Sequence, residues 1–212
     1  MNQRTDTFDS LIFDMDGTLW DAVDSYCAVW DATFSTLGID RRVSRDELIE
    51  CMGLTIDEIF NRIMPSGTSY RDSFLTLLAE NERTMMPQLG GTLYPDVREG
   101  IEKLAKSYKL LMASNCGAEG LTNFLTYTGL KPYFTDTITY GETGQGKDFN
   151  ITLLKNRHSL HSPLYIGDTA GDCRSAHAAG VKMMHVTYGF GTAPEADLSA
   201  SSFAELTAIL TR

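Results

Sequence analysis

Positive charge is scarce in this sequence. Its 212 residues carry 18 Lys and Arg against 28 Asp and Glu, a net charge of −10, and the first lysine is Lys103. Such a chain repels polyanions, which excludes nucleic acid and anionic membrane as general partners. Any anionic ligand must be held by a few specific cations. Cysteine is sparse as well. Cys27, Cys51, Cys116 and Cys173 make no CxxC pair and no secretory leader is read, so reduced thiols in a cytoplasm are the expectation. No apolar run approaches the roughly 18 residues that span a bilayer. Internal repeats and low-complexity tracts are missing too.

What is present is an ordinary soluble composition, 42% hydrophobic and 22% charged, in a length suited to one α/β domain with a modest insert. Ser10-Leu-Ile-Phe-Asp14 predicts a short strand ending in acid. Residues 22–38 place Tyr26, Val29, Trp30, Phe34 and Leu37 at helical spacing. Further helices are expected at 44–52, 55–64 and 69–86, broken by Gly53 and by Met64-Pro-Ser-Gly67, with no strand between 20 and 89. Gly90-Gly91 reads as a linker. Beyond it, helices at 95–107, 117–128, 149–158 and 170–179 alternate with strands at Lys109–Ala113, Phe134–Thr139, Pro163–Ile166 and Lys182–Thr187, and a last helix covers 202–211. Such alternation implies a parallel sheet covered on both faces.

The stretch Gly141-Glu-Thr-Gly-Gln-Gly-Lys-Asp148 has the glycine and lysine spacing of a phosphate-binding P-loop. Its last position is Asp148, where a hydroxyl should meet Mg²⁺, and a carboxylate there adds repulsion. Ligands of an open parallel sheet bind beyond the carboxyl ends of its strands. Those ends carry Asp14-Met-Asp16-Gly17-Thr18, then Ser114-Asn115, then a loop leading to Lys147, then Gly167-Asp168-Thr-Ala-Gly-Asp172. Acids gathered that closely repel unless a cation neutralises them, and Mg²⁺ is the natural oxygen-seeking partner. A P-loop would leave Asp16, Ser114 and the last acidic motif unexplained.

These four motifs, in this order and each after a strand, resemble the haloacid dehalogenase superfamily across nearly the whole chain. The resemblance implies a Rossmann-like α/β core from residues 1–19 and 90–212, with a helical cap inserted at 20–89. It implies Asp14 as the nucleophile that forms an aspartyl-phosphate, and Asp16 as general acid and then base. Gly17 lets the chain turn sharply within the first motif and leaves room for backbone amides near the phosphate. Thr18 either supports the Asp16 loop or caps a helix. Ser114 and Asn115 hold phosphoryl oxygens, or cap a helix with the same orphan amides. Lys147 stabilises charge on the aspartate and the transferring group. Mg²⁺ is bound by Asp14, the Asp16 carbonyl and Asp168, with Asp172 acting directly or through water.

The chain departs from the family in lacking Pro-x-Pro after Lys147, in carrying Cys116 after the second motif, and in reading Leu19-Trp20-Asp21-Ala22 after the first. Asp16 argues against carbon–halogen cleavage, and an insert without lysine against Schiff-base phosphonate cleavage. The expectation is a Mg²⁺-dependent phosphomonoester hydrolase, phosphoglycolate phosphatase-like, acting on a small phosphorylated metabolite. A sugar-phosphate mutase and a binding module without turnover are the alternatives. Gly53, in Met52-Gly53-Leu54, is either part of a substrate loop or a helix break, and Arg45 and Arg62 are the cap cations to examine. The substrate is left unnamed, and both monomer and dimer stay open.

Overall fold

The computed structural model describes residues 8–64 and 70–211. Strands and helices are numbered in chain order. The first strand, β1 (Ser10–Phe13), is buried along its whole length. Side chains alternate across a strand, so Leu11 and Phe13 enter one apolar cluster while Ile12 enters another on the opposite face. A strand clothed on both sides belongs in the middle of a parallel sheet. β1 pairs in parallel with β4 (Lys109–Ser114) on one side and β6 (Pro163–Gly167) on the other. β5 (Phe134–Thr139), β7 (Lys182–Val186) and β8 (Leu198–Ala200) complete a six-stranded sheet, ordered β5-β4-β1-β6-β7-β8 and parallel throughout.

Helices cover both faces. Val97, Ile101 and Leu104 of α5 (Val97–Leu104), Phe124 of α6 (Gly120–Thr128) and Phe203 and Leu206 of α10 (Phe203–Leu210) pack with Leu11 and Phe13. Ile151 and Leu154 of α8 (Lys147–Arg157) and Cys173 and Ala176 of α9 (Ala170–Ala178) pack with Ile12. Because β1 has a partner on each side, the crevice beyond its carboxyl end is the switch point where such sheets take ligands.

Between β1 and α5 the described residues form four helices, α1 (Val23–Thr36), α2 (Arg45–Ile49), α3 (Ile56–Ile63) and α4 (Arg71–Leu89). The first three-residue spacings explain where two of them begin: Ser44 with Glu47 and Thr55 with Glu58 each form a reciprocal capping box. Trp30, Phe34 and Phe60 converge on Phe74 with ring centroids 5.3, 5.4 and 5.3 Å from it, which ties α1, α3 and α4 together. No helix among the described residues is long and apolar enough to cross a membrane.

The structure departs from the sequence expectations in five places. Trp20–Asp21 (β2) pairs antiparallel with Thr92–Leu93 (β3), a ribbon too short to show periodicity and lying partly within the stretch expected to hold no strand. β8 is likewise only three residues long. Residues Tyr140–Thr143 form a single turn, α7, capped by Thr139 and Glu142. Lys147, expected in a loop, is the first residue of α8, because Gly146 already has the extended backbone of an N-cap. α4 continues through Pro87 to Leu89 although the proline cannot donate the hydrogen bond of its own position, and the Gly90 amide beyond it still reaches the Met86 carbonyl at 2.8 Å. The expected start of a helix at 69, and Pro65, Ser66 and Gly67 of the expected break, lie outside the described residues.

Candidate active site

At the end of β1 the Asp14 amide still donates to the Ile166 carbonyl at 2.9 Å, so the strand geometry holds for one residue more. The chain then turns back on itself, with Thr18 and Leu19 amides donating to the Met15 carbonyl. Gly17 makes the turn with φ of +78°, and a Cβ there would collide with the Asp168 carboxylate and the Phe190 ring. Gly17→Ala is therefore expected to lower stability by roughly 2 kcal/mol or more. Thermal unfolding checks this, and an unchanged Tm would contradict it.

That turn sends the two acids of Asp14-Met15-Asp16 to different partners. Asp14 is buried and accepts from Lys147 Nζ at 2.9 Å. Lys147 Nζ also reaches Asp172 Oδ1 at 2.6 Å, so one buried ammonium bridges two carboxylates from different elements. Asp172 Oδ1 also accepts from Tyr165 Oη at 3.3 Å, and Oδ2 accepts from the amide and hydroxyl of Thr169 at 3.0 and 2.7 Å. Thr169 and Asp172 are the capping box of α9, which explains why the acid points back toward β6. Asp168, fully buried at the end of β6, accepts from the Phe190 amide at 2.7 Å through Oδ2.

Asp16 turns away from this group. Trp20 Nε1 donates to it at 2.9 Å and Tyr26 Oη at 3.2 Å. Neither partner carried a functional signal in the sequence, where Trp20 looks like core and Tyr26 like one apolar position of a helix. Thr169 was the detectable omission, since its spacing to Asp172 is that of a capping box. Ser114 and Asn115 leave the end of β4, and Asn115 Nδ2 donates to the Gly53 carbonyl at 2.8 Å, joining the sheet to the α2–α3 turn. Thr18 is fully buried, with a hydroxyl that has no partner among the described residues and a carbonyl that accepts from Tyr188 Oη at 2.8 Å. The segment Gly141–Gly146, read above against a P-loop, is spent on α7 and the cap of α8.

The electrostatics follow from burial. Carboxylate oxygens of Asp14, Asp168 and Asp172 all lie within 4.8 Å of one another. Burial pushes Asp14 up to about 6 against the pull of Lys147, with Asp172 adding repulsion. Burial, then Asp172 and Asp14, push Asp168 up to about 8. Burial acts on Asp172 too, but Lys147 and Thr169 outweigh it and hold that carboxyl below its usual range. Burial and the neighbouring Asp14 push Asp16 up to about 7. Three acids thus face one lysine, and Asp168 Oδ1 is buried with no partner among the described residues. An all-oxygen, net-negative donor set with an orphaned oxygen fits a hard divalent cation.

A cavity of about 80 Å³ opens over Asp14, Asp16 and Lys147. Ser114 and Asn115 line one wall and Gly53 another, whereas Gly17, Thr18, Asp168 and Asp172 do not line it. Arg45 and Arg62 are also elsewhere. Arg45 pairs with Asp21 and Asp24 beside the β2–β3 ribbon, and Arg62 pairs with Glu50 at 2.8 Å on an exposed surface. Local charge balance captures both before they can face the cavity. Glu82 of α4, unremarked in the sequence, does line it.

Comparisons with known proteins fit this arrangement. The chain is 27% identical to a phosphoglycolate phosphatase of Aliivibrio fischeri, over 94% of this chain and 95% of that one. It is 25% identical to a phosphoglycolate phosphatase of Aquifex aeolicus, over 85% of each. Among solved structures, a haloacid dehalogenase-like family hydrolase from Streptococcus pneumoniae shares the fold with a TM-score of 0.78 at 20% identity, covering 95% of this chain and 97% of that one. CbbY from Rhodobacter sphaeroides, in complex with phosphate, does so with a TM-score of 0.80 at 19% identity, covering 94% and 96%. A sequence model of the haloacid dehalogenase-like hydrolases matches residues 11–186. The chain belongs to the haloacid dehalogenase-like hydrolase family, as a phosphoglycolate phosphatase-like member.

Proposed function

We propose that this protein is a Mg²⁺-dependent phosphomonoester hydrolase that works on a small phosphorylated metabolite through an aspartyl-phosphate on Asp14. The observation that carries this reading is the division between two acids two residues apart: Asp14 against the Lys147 ammonium, Asp16 against Trp20 and Tyr26, both facing one cavity. Asp14 Oδ2, free of the lysine, attacks phosphorus. Asp16, pushed up to about 7, holds a proton for the departing alkoxide and later takes one from water. Lys147 offsets negative charge on Asp14 and the transferring group, and Asp172, itself held by Tyr165, keeps its ammonium in place. Ser114 and Asn115, at the cavity wall, are suited to phosphoryl oxygens.

Asp14, Asp168 and Asp172, with the Asp16 carbonyl, would hold the cation. When bound it neutralises the clustered acids and draws charge from the phosphoryl oxygens. Treatment with EDTA is expected to lower release of phosphate from p-nitrophenyl phosphate by at least about tenfold, with recovery on adding Mg²⁺. Undiminished hydrolysis after EDTA would refute the metal requirement. Absence of any phosphate release with Mg²⁺ present would refute the hydrolase reading and favour a binding module.

We take residues 20–89 as a cap that moves on the core. A cavity of about 80 Å³ holds only a few waters, so a metabolite enters by displacing its roof. The Asn115–Gly53 hydrogen bond is one closing contact, and the ribbon of β2 and β3 beside Gly90, with φ of +61°, is the natural pivot. The mutase alternative needs a cation for a second phosphate, and Lys147 is the one Lys or Arg lining the cavity among the described residues. That favours hydrolysis.

A further inference from the structure

The cavity holds an ionisable group for which the chemistry above has no task. Glu82 lines it together with Tyr26 and Trp30 of α1. A Cβ on Gly117 would lie 3.4 Å from Glu82 Oε2, so the carboxyl rests against the turn that follows Ser114 and Asn115. It has no hydrogen-bond or ion-pair partner among the described residues. Burial alone pushes it up to about 7, with nothing positive to oppose that.

The surroundings of Glu82 restrict what a leaving group can carry. Much of the lining is apolar, with Trp30, Leu48, Met52, Leu54, Ile56 and Ile59. None of the insert's arginines lines the cavity: Arg41 pairs with Glu47, Arg71 with Asp57 and Asp72, Arg83 with Glu80, Arg45 with Asp21 and Asp24, Arg62 with Glu50, and Arg42 lines a separate depression with Asp31 and Asp40. Lys147 is engaged by two carboxylates. A substrate carboxylate or second phosphate would therefore enter a desolvated space with no free cation and an acid beside it. A polyhydroxylated sugar would leave most of its hydroxyls against hydrocarbon. An ammonium group meets neither penalty. It would hold Glu82 ionised, and the Trp30 indole lining the same cavity offers a favourable surface for a cation.

We infer that the cavity selects phosphomonoesters of small amino alcohols, with Glu82 as the specificity-determining residue that receives the substrate ammonium. The inference rests on the phosphatase reading above and sets this chain apart from relatives named for phosphoglycolate, whose leaving group carries a carboxylate. The overall reaction is hydrolysis: water gives its oxygen to phosphorus and a proton to the leaving oxygen, releasing amino alcohol and inorganic phosphate.

The test compares kcat/KM for 2-aminoethyl phosphate, ethyl phosphate and 2-phosphoglycolate, with p-nitrophenyl phosphate as a reference ester. In the unaltered protein the expected order is aminoethyl, then ethyl, then glycolate, with at least about a tenfold gap between the first two, since each tenfold corresponds to about 1.4 kcal/mol and a charge-assisted hydrogen bond exceeds that. Glu82→Gln keeps the shape and is expected to collapse the aminoethyl-to-ethyl ratio to near one, whereas Glu82→Lys should raise glycolate above aminoethyl. Hydrolysis of p-nitrophenyl phosphate with a preference for 2-phosphoglycolate in the unaltered protein would overturn this inference and leave the phosphatase reading standing. An aminoethyl-to-ethyl ratio that Glu82→Gln leaves unchanged would overturn it equally. Failure to hydrolyse all four esters would overturn the phosphatase reading and this inference with it.

Discussion

Replacing Asp14 with Asn is expected to lower phosphate release by at least ~10⁴-fold, because a nucleophile working within a coupled group cannot be replaced by its neighbours. The amide has nearly the shape of the carboxylate and keeps an oxygen for Lys147, but it cannot attack phosphorus. The variant should fold. Lys147 retains Asp172 at 2.6 Å, and removing one of three acids within 4.8 Å of each other relieves repulsion. The sign of the stability change without divalent cation follows from linkage. Asp14 in the folded protein is raised to about 6 from 3.8, so its ionisation opposes folding as pH rises through that interval, and Asn removes the cost. At pH 7 the metal-free variant should unfold no more readily than the unaltered protein. Turnover within about a hundredfold of that protein would show that Asp14 is not the nucleophile, since a group that only binds costs that much or less.

Asp16→Asn is expected to be nearly as severe for alkyl phosphates and milder for aryl ones. General acid–base help is typically worth about 10²–10⁴-fold per step, and an alkoxide needs the proton most. Asn keeps the size and the backbone carbonyl while removing the proton. Trp20 Nε1 at 2.9 Å and Tyr26 Oη at 3.2 Å can still donate to its carbonyl oxygen, so the side chain should stay in place. We expect loss of at least roughly a hundredfold on an alkyl phosphate, with a smaller loss on p-nitrophenyl phosphate, whose leaving group departs unprotonated. Retained binding of a phosphate mimic and of metal would separate lost chemistry from a lost site. Alkyl phosphate hydrolysis at the unaltered rate would show that the two acids do not divide the work in this way.

Both experiments depend on a feature no local pattern carries, namely what each aspartate touches. Two acids in Asp14-Met15-Asp16 are alike to any reading of spacing. They differ because Asp14 still continues the pairing of β1 and meets Lys147, 133 residues away in the chain, whereas Asp16 stands in the turn completed by Gly17 and meets the Trp20 indole four residues on. The same holds for the arginines. Arg45 and Arg62 stand on the insert at positions as promising as any, yet Asp21, Asp24 and Glu50 bind them outside the cavity. Glu82 shows the reverse case, an ordinary helix residue to the eye, carried into the cavity by the packing of α4 against α1.

The sequence by itself determined the alternation of strand and helix, the parallel sheet, the helical character of the insert and the family. The first three rest on short-range physics, the period of the apolar residues and the glycine breaks between segments, and the family on the resemblance carried by four motifs in order. It missed β2, β3 and β8 because strands of two or three residues are too short to establish a period. It placed Lys147 in a loop because a helix whose N-cap is Gly146, without a side-chain oxygen, announces itself only weakly. Tertiary structure alone decided which charges neutralise each other and which face the cavity. That selection is a matter of distance and desolvation between residues far apart in the chain, and strand order, with β1 held between β4 and β6, sets those distances.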